Sequence, residues 1–355
     1  MSPFYCPPGL GHLLKSPLGS QLARRLAPQP LHIRLDLYNT YSHPRGVFIK
    51  GRALEKKSTH VPLEIADSWW VNMKRTWHAL ESDEVKDLDL VIAFKGQSYT
   101  VRTDDEGLFT LEITPAQALS PGAHPVTAHL PQHSFHKGHP TDAQVFILPT
   151  ASPSWGVISD IDDTILHTQV TRRIQMLKAL LFSNGLSAKA VPGMAAVYHN
   201  LQQQGFGFHY LSGSPINLHQ RLRSFIQHQG FPEGSMDLRH WGIGPGTDAI
   251  LSASTYKLQR LQKLFQRFPQ RQFLMIGDNG EKDPEIYATV QKTFPKQVLG
   301  IAIRNVNQAS QADPRFKNMT LFENSEALQD YVTSITASLP PLQTVPANPS
   351  LKPSV

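Results

Sequence analysis

The spacing of apolar residues changes once along this 355-residue chain, near residue 154. From there on, short apolar runs alternate with stretches that have helical spacing. The runs are at 156–159, 206–211, 273–276 and 298–303, and the helical stretches are at 194–204, 216–229, 256–268 and 284–293. This alternation predicts an α/β fold in which a parallel sheet carries helices on both faces. Functional side chains are then expected beyond the carboxyl ends of these strands.

Residues 31–150 have a different pattern, in which short strands are separated by turns. Strands are predicted at 31–37, 47–49, 88–94, 99–102, 108–113, 126–130 and 145–148. A glycine turn at 104–107 favours a hairpin between two of them. Several short antiparallel strands of this kind predict a β-sandwich-like domain, with one helical insertion at 68–84.

The chain therefore divides into four predicted segments. Residues 1–30 are rich in Pro, Gly and Ser and predict a flexible arm, and the proline-rich residues 338–355 predict a disordered tail. Between them lie the β-rich domain, 31–150, and the α/β domain, 151–337.

Composition excludes several classes of protein. The single cysteine, Cys6, excludes an internal disulfide framework and a multi-cysteine metal site. No run reaches the ~18 consecutive apolar residues of a membrane-spanning helix. Prolines and charges interrupt the amino-terminal segment, so no export signal is expected. The expected location is therefore the cytoplasm. The net charge of +6 favours a polyanionic neighbour, but the basic residues are scattered and nucleic acid is not expected.

The first strand of the α/β domain leads directly into the run Asp160-Ile-Asp-Asp-Thr164, in which Asp160 and Asp162 stand two residues apart. Carboxylates two residues apart in such a loop can converge on one cation or one phosphate. Their repulsion would be relieved by a hard divalent cation. The alternative is an ordinary Asp-rich turn in which Thr164 caps a helix.

Three further predicted elements carry polar residues in suitable places. Ser212 and Gly213 follow the second strand, where a hydroxyl and backbone N–H groups can hold an anion. Asp278 ends a later strand, and Asp283 before a proline could equally cap the next helix. Lys257, at the start of a helix, could neutralise a phosphate oxygen or lie on a solvated face.

In this order the motifs resemble those of the haloacid dehalogenase phosphatase superfamily. The likeness extends to one branch, the catalytic domain of the actin-patch-associated phosphatidate phosphatase family, over residues 154–310. Its motifs are Asp160-Ile-Asp-Asp-Thr-Ile165, Pro192-Gly-Met194, Ser212-x-Ser-Pro215, Gly277-Asp278, Lys282-Asp-Pro-Glu-Ile-Tyr287 and Arg304.

The resemblance implies a Mg²⁺-dependent mechanism through an aspartyl-phosphate. Asp160 would be the nucleophile, and Asp162 the general acid and then the general base. Mg²⁺ would be bound by the Asp160 carboxylate, the Asp162 carbonyl and Asp278.

The remaining motif residues would hold the phosphate or support the site. Ser212, Gly213 and Lys257 would bind phosphate oxygens, while Asp283 and Thr164 would take supporting positions.

The resemblance also implies hydrolysis of phosphatidate to diacylglycerol and phosphate at a membrane surface. Only 52 positions separate Asp160 from Ser212, and 45 separate Ser212 from Lys257, which leaves no room for a large cap. An open site suits a phosphate presented on lipid or protein. The apolar segment 174–182 could contact the membrane or pack on the sheet. The alternatives are a phosphatase for phosphoproteins or soluble esters, and a catalytically idle adaptor. The β-rich domain could bind a protein partner.

Overall fold

The computed structural model describes five stretches of the chain. These are residues 30–55, 84–149, 154–166, 189–239 and 252–340. Four predicted features lie outside them in whole or in large part: the arm 1–30, the insertion 68–84, the apolar segment 174–182 and the tail 338–355. Within the described stretches, no helix is both long and apolar enough to cross a bilayer.

The β-rich part between residues 30 and 149 is built from two sheets. Its strands are β1 (His32–Leu37), β2 (Thr40–Ser42), β3 (Val47–Glu55), β4 (Asp89–Phe94), β5 (Gln97–Arg102), β6 (Leu108–Ile113), β7 (Gly122–His129), β8 (Lys137–Gly138) and β9 (Thr141–Ile147). One sheet has the order β6-β3-β1-β8 and the other β2-β9-β7-β4-β5. All the strands predicted here are present. The short strands β2 and β8 were missed because two or three residues show no alternation.

The two sheets enclose one apolar core, as in a sandwich. In β4, for example, Leu90, Ile92 and Phe94 are buried while the residues between them are half-buried. Inward residues of the other sheet, such as Leu35 and Ile49, belong to the same core. The period of two in the sequence thus follows from one buried face per sheet.

The second part contains a six-stranded sheet with all strand pairs parallel. Its strands are β10 (Trp155–Ser159), β11 (Gly207–Pro215), β12 (Gly234–Arg239), β13 (Gln272–Asp278), β14 (Val298–Arg304) and β15 (Thr320–Phe322), in the order β12-β11-β10-β13-β14-β15. The chain moves outward from β10 to one edge and then returns to build the other side. Ligands bind at such a reversal in α/β sheets.

Helices pack against this sheet. They are α1 (Met194–Gln203), α2 (His219–His228), α3 (Ala253–Arg267), α4 (Asp283–Thr293) and α5 (Ser325–Thr336). Successive residues of β10 point to opposite faces, so that Val157 packs with α1, α2 and α5 while Ile158 packs with α3 and α4. Burial on both sides explains why the strands read as continuous apolar runs.

Three elements of this part were not predicted. In β12, polar residues such as Ser235 and Asp237 interrupt the apolar pattern, and β15 is only three residues long. Helix α5 was missed although Leu328 and Val332 are buried four residues apart. The predicted helix 216–229 is instead a 3-10 turn, Ile216–Leu218, followed by α2.

Candidate active site

Asp160 leaves the central strand β10 at its carboxyl end and is almost completely buried. All residues of β10 are buried, and Asp160 itself is 1% exposed. Its backbone N–H donates to the Ile276 carbonyl at 2.9 Å, which continues the pairing of β10 with β13. The sheet therefore fixes the backbone of Asp160. The Asp160 carboxylate lies among the other polar side chains at the carboxyl end of the sheet.

Lys257 brings a buried ammonium group to the Asp160 carboxylate. It lies in the second turn of α3, whose amino-terminal cap, Ser252, accepts a hydrogen bond from Thr255 N–H at 3.1 Å. The Lys257 Nζ is 2.6 Å from Asp160 Oδ1 and 2.8 Å from Asp283 Oδ1. Lys257 is only 1% exposed, so this cation serves the carboxylates and does not lie on a solvated face.

Asp162 accepts two hydroxyl hydrogen bonds on one oxygen. Ser212 Oγ donates to Asp162 Oδ2 at 2.7 Å, and Ser214 Oγ donates to the same atom at 3.1 Å. Ser214 N–H donates in turn to Ser212 Oγ at 2.9 Å. The other oxygen of this carboxyl group, Oδ1, is buried and has no hydrogen-bond partner within the described stretches. Two serines thus set the direction of Asp162.

The turn that follows Asp160 has an uncommon backbone conformation. Asp163 has φ +54°, in the left-handed region that few residues other than glycine adopt. Arg304, at the end of β14, donates from Nη1 to the Asp163 carbonyl at 2.6 Å. Thr164 Oγ1 donates to Asp160 Oδ2 at 3.4 Å. These contacts hold the turn so that Asp160 and Asp162 both lie at the carboxyl end of the sheet.

Three buried carboxylates form a group that fits a divalent cation. One oxygen each of Asp160, Asp278 and Asp283 lies within 4.8 Å of the others. Asp278 Oδ1 accepts from the Gly280 and Glu281 N–H groups at 2.7 and 3.1 Å. The remaining oxygens, Oδ2 of Asp278 and Oδ2 of Asp283, are buried and have no hydrogen-bond partner among the residues that the structure describes. Carboxylate oxygens are preferred ligands of Mg²⁺, so the donor set suits that ion.

Burial makes this acidic cluster hard to ionise. It raises the pKa of Asp162 to about 6, and together with the charge of Asp283 it raises the pKa of Asp278 to about 8. Burial also raises the pKa of Asp160 well above its ordinary value, against the opposing effect of Lys257. For Lys257 burial favours the neutral form, but Asp160 and Asp283 raise its pKa well above the ordinary value. The site therefore contains a fixed ammonium and an excess of carboxyl groups that a cation would help to ionise.

The structure brings the predicted site residues together at the carboxyl end of the parallel sheet. They are Asp160, Asp162, Thr164, Ser212, Gly213, Lys257, Asp278 and Asp283. Gly213 lies where the end of β11 passes α3, and a Cβ there would be 3.1 Å from the Cβ of Ala253. Asp283 does not act as the cap, because α4 begins at Asp283 itself and its cap position is Lys282.

Two residues of the cluster were missed in the sequence. Ser214, which bonds Asp162, stands in the motif Ser212-x-Ser-Pro215 but was given no role, because Ser-Gly-Ser by itself is typical of ordinary turns. Glu281, whose Oε2 is 3.4 Å from Lys257 Nζ, lies in a polar loop with no apolar pattern to place it.

A small cavity opens beside Lys257, between the start of α3 and the start of α4. Its volume is about 180 Å³, and Ser252 and Lys282 contribute to its lining. Pockets that enclose a whole small molecule are larger, roughly 300–1,000 Å³. This cavity is therefore too small for a whole substrate, and its lining includes Lys257 and Glu281 but none of Asp160, Asp162, Ser212 and Asp278.

Comparisons with known proteins concern the part of the chain that holds this cluster. Residues 155–305 match the family model described as the catalytic domain of phosphatidate phosphatase APP1. The phosphatidate phosphatase APP1 of Saccharomyces cerevisiae is 33% identical over 150 residues, which is 42% of this chain and 25% of that protein. An uncharacterised protein of Schizosaccharomyces pombe is 31% identical over 151 residues, with the same coverage. The chain thus matches about a quarter of the length of each relative.

Among solved structures, a class C acid phosphatase from Bacillus anthracis with tungstate bound overlaps 54% of this chain and 82% of its own. The TM-score is 0.28 and the identity 13%, values too low to show a common fold. The sequence matches are the stronger finding, and the range matched by the family model, 155–305, spans the strand-end residues described above. Residues 155–305 are accordingly similar to the catalytic domain of the APP1 phosphatidate phosphatases.

Proposed function

We propose that this protein is a phosphatidate phosphatase, a phosphoric monoester hydrolase that forms diacylglycerol and phosphate. The observation that carries the proposal is the buried contact of Asp160 with Lys257 beside Asp278, inside the segment that matches a phosphatidate phosphatase catalytic domain. Phosphoryl transfer requires a nucleophile, a cation and a metal-binding group close together, and these three residues meet at the carboxyl end of the parallel sheet. We also propose that the α/β part belongs to the haloacid dehalogenase superfamily.

The reaction would proceed in two steps on the chain's own residues. An Asp160 carboxylate oxygen attacks the phosphorus, the bond to the glycerol oxygen breaks, and an aspartyl-phosphate forms. Asp162 gives its proton to the departing oxygen of diacylglycerol. In the second step Asp162 takes a proton from water, the water oxygen attacks the phosphorus, and phosphate leaves while the Asp160 carboxylate is restored.

The geometry supports these roles. The pKa of Asp162 is raised to about 6 by burial, so this carboxyl group can both give and accept a proton near neutral pH. The serine hydroxyls hold its Oδ2, which leaves Oδ1 for the proton transfers. The Lys257 ammonium would offset the charge that develops on the phosphate oxygens, and the backbone N–H of Gly213 would bind one of these oxygens. Ser212 donates its single hydroxyl proton to Asp162 Oδ2 in this structure, so it would bind phosphate only by turning this hydroxyl away from Asp162.

We propose that Mg²⁺ is the cofactor. The carboxylates of Asp160 and Asp278 and the carbonyl of Asp162 would hold it. Asp283 belongs to the same carboxylate group and could supply a further oxygen. When bound, the ion would neutralise charge on the phosphate and favour the ionised form of Asp160.

We propose phosphatidate as the substrate. Because phosphatidate is a membrane lipid, the enzyme would act at the surface of a membrane. The match of residues 155–305 to a phosphatidate phosphatase catalytic domain supports this choice of substrate. The predicted membrane contact of segment 174–182 lies outside the described residues and stays a prediction, as do a cytoplasmic location and a protein partner for the β-rich part.

A comparison of three substrates tests the substrate class. We expect phosphate release with Mg²⁺ to be fastest from phosphatidate in mixed vesicles, and much slower from a soluble phosphate ester and from a phosphopeptide. A preference for the phosphopeptide or the soluble ester would support the alternative phosphatase functions. No release from any of them by the folded protein would support the idle adaptor.

The raised carboxyl pKa values also predict how stability depends on pH. The folded state of the metal-free protein binds more protons at Asp162 and Asp278 than the unfolded state does, so the contribution of these two groups to stability is largest in acid and is lost as pH rises towards about 8. We expect the Tm of chelated protein to be lower at about pH 8 than at about pH 5.5, and Mg²⁺ to raise Tm more at the higher pH. Thermal scans at both pH values, with and without Mg²⁺, measure this. Equal Mg²⁺ effects at both would contradict it.

A further inference from the structure

The β-rich part and the α/β part share a buried contact centred on Asn39. This residue follows β1 and is 3% exposed. Its backbone N–H donates to His219 Nε2 at 3.2 Å, and its carbonyl accepts from Met236 N–H at 3.0 Å. Its side chain donates to the Gly234 carbonyl at 3.3 Å and accepts from Gln144 N–H at 3.1 Å. Every polar group of Asn39 is thus bonded, and three of its bonds cross to the α/β part.

The imidazole of His219 is suited to this contact because it stays neutral. It is 2% exposed, and burial together with the charge of Arg223 lowers its pKa to about 3. The ring of Tyr38 lies against it, with 4.9 Å between ring centroids. His219 can therefore accept the Asn39 N–H bond throughout the physiological pH range.

A second contact is made by Arg52 of β3. Its Nε donates to the Glu106 carbonyl at 3.1 Å, and its Nη2 contacts Glu84 Oε1 at 2.6 Å. The third arm crosses to the α/β part, where Nη1 donates to Asn217 Oδ1 at 2.9 Å. Arg52 is 4% exposed, and its own region holds the guanidinium in place at two points. The planar fork of arginine makes such a three-way bond directional.

Both contacts end on the segment that follows the phosphate-binding strand end. Asn217 lies in the 3-10 turn Ile216–Leu218, which starts directly after Pro215, the last residue of β11. Only two residues separate Ser214 from Asn217, a span of at most ~10 Å. A displacement of Asn217 would thus be passed to the serine hydroxyls.

Packing strengthens this connection. The buried side chains of the turn, Ile216 and Leu218, belong to the same apolar cluster as Ile161 and Ile165, which flank Asp162 in the sequence. The turn and the Asp162 loop therefore both contribute to one apolar cluster.

We propose that Arg52 and Asn39 are positioning residues, which hold the segment Ile216–His219 and thereby keep the hydroxyls of Ser212 and Ser214 on Asp162. The β-rich part would then be a support for the active site as well as a possible binding surface. The kinetic consequence rests on the proposed function. A misplacement of ~1 Å at a reacting group can cost about 100-fold in rate, so the loss of one bond in this support is expected to cost less, roughly tenfold.

Two substitutions of Asn217 separate positioning from bulk stability. Asn217→Ala removes the acceptor of Arg52, whereas Asn217→Asp keeps an acceptor in the same place. We expect Asn217→Ala to lower kcat roughly tenfold with little change in KM, and Asn217→Asp to keep most of the activity. An equal kcat loss in both variants would overturn the proposal.

A double-mutant cycle assigns the effect to the pair. Arg52→Met should resemble Asn217→Ala, and the double variant should lose no more than either single one. Arg102→Met is the control, because Arg102 lies on the same β-rich part but pairs with Asp89 at an exposed site. Additive losses, or a similar loss in the control, would contradict the inference.

Hydrogen exchange tests the positioning without any turnover. We expect the amides of residues 207–219 to exchange faster in Arg52→Met than in the parent protein, and those of α5 to be unchanged. Unchanged exchange at 207–219 would overturn the inference even if the protein is an active phosphatase. Faster exchange in a protein that hydrolyses none of the three substrates would retain the support role and contradict the proposed function.

Discussion

Phosphate release should fall by several orders of magnitude in Asp160→Asn, while the fold is kept. An amide cannot form an acyl-phosphate, and the loss of a nucleophile commonly costs this much in rate. The side chain keeps its size, and Lys257 keeps its partner Asp283 at 2.8 Å. Since burial opposes ionisation of Asp160, we expect the Tm of the metal-free variant to be equal to or above that of the parent.

The matched control for this variant is Asp163→Asn, three residues further along the same turn. Asparagine tolerates the left-handed conformation, and the contact with Arg304 uses the backbone carbonyl of Asp163, so the turn should be retained. Turnover by the control should stay close to that of the parent. Near-parental turnover by a folded Asp160→Asn protein would contradict the role of Asp160 as nucleophile.

Chelation of divalent metal should stop the reaction, and Asp278→Ala should do nearly the same. An ion would satisfy the buried oxygens of Asp278 and Asp283 that have no hydrogen-bond partner in the described part of the chain. Loss of several kcal/mol of charge stabilisation corresponds to a rate decrease of about 100-fold to 1,000-fold. Mg²⁺ should restore the chelated parent protein, and Ca²⁺ should restore it poorly because its coordination is larger and looser.

The control for Asp278→Ala is Glu326→Ala, a carboxylate in the first turn of α5 that is exposed and outside the cluster. Phosphate release should be measured over a range of Mg²⁺ concentrations for both variants. The control should follow the parent curve. Full activity of the parent after exhaustive chelation would show that the metal-assisted account is wrong.

The strand ends were the part of the site that could be predicted from the sequence. Asp160 and Asp278 each follow a continuous apolar run. In a parallel sheet the carboxyl ends of the strands lie together, so the two side chains are expected at the same end of the sheet. Lys257 was predicted from its order among the motifs alone. Its contact with Asp160 spans 97 positions and is set by how α3 packs on the sheet, which no local pattern records.

The interactions that join distant segments were beyond sequence reasoning. The left-handed turn at Asp163 depends on Arg304, which is 141 positions away. The contacts of Asn39 and Arg52 with the α/β part are made by single polar residues whose burial follows from tertiary packing. Hydrophobic periodicity predicts which face of an element is buried and is silent about such polar pairs.

Hydrolysis of phosphatidate by this protein is most directly tested by following the lipid product itself. Phosphatidate in mixed vesicles is incubated with Mg²⁺ and the parent protein or Asp160→Asn, and diacylglycerol and inorganic phosphate are both measured. We predict that the parent forms the two products in equal amounts, and that the variant forms neither above the level of a blank. Absence of diacylglycerol with the parent, or equal formation with both proteins, would contradict the assignment of this chain as a phosphatidate phosphatase that uses Asp160.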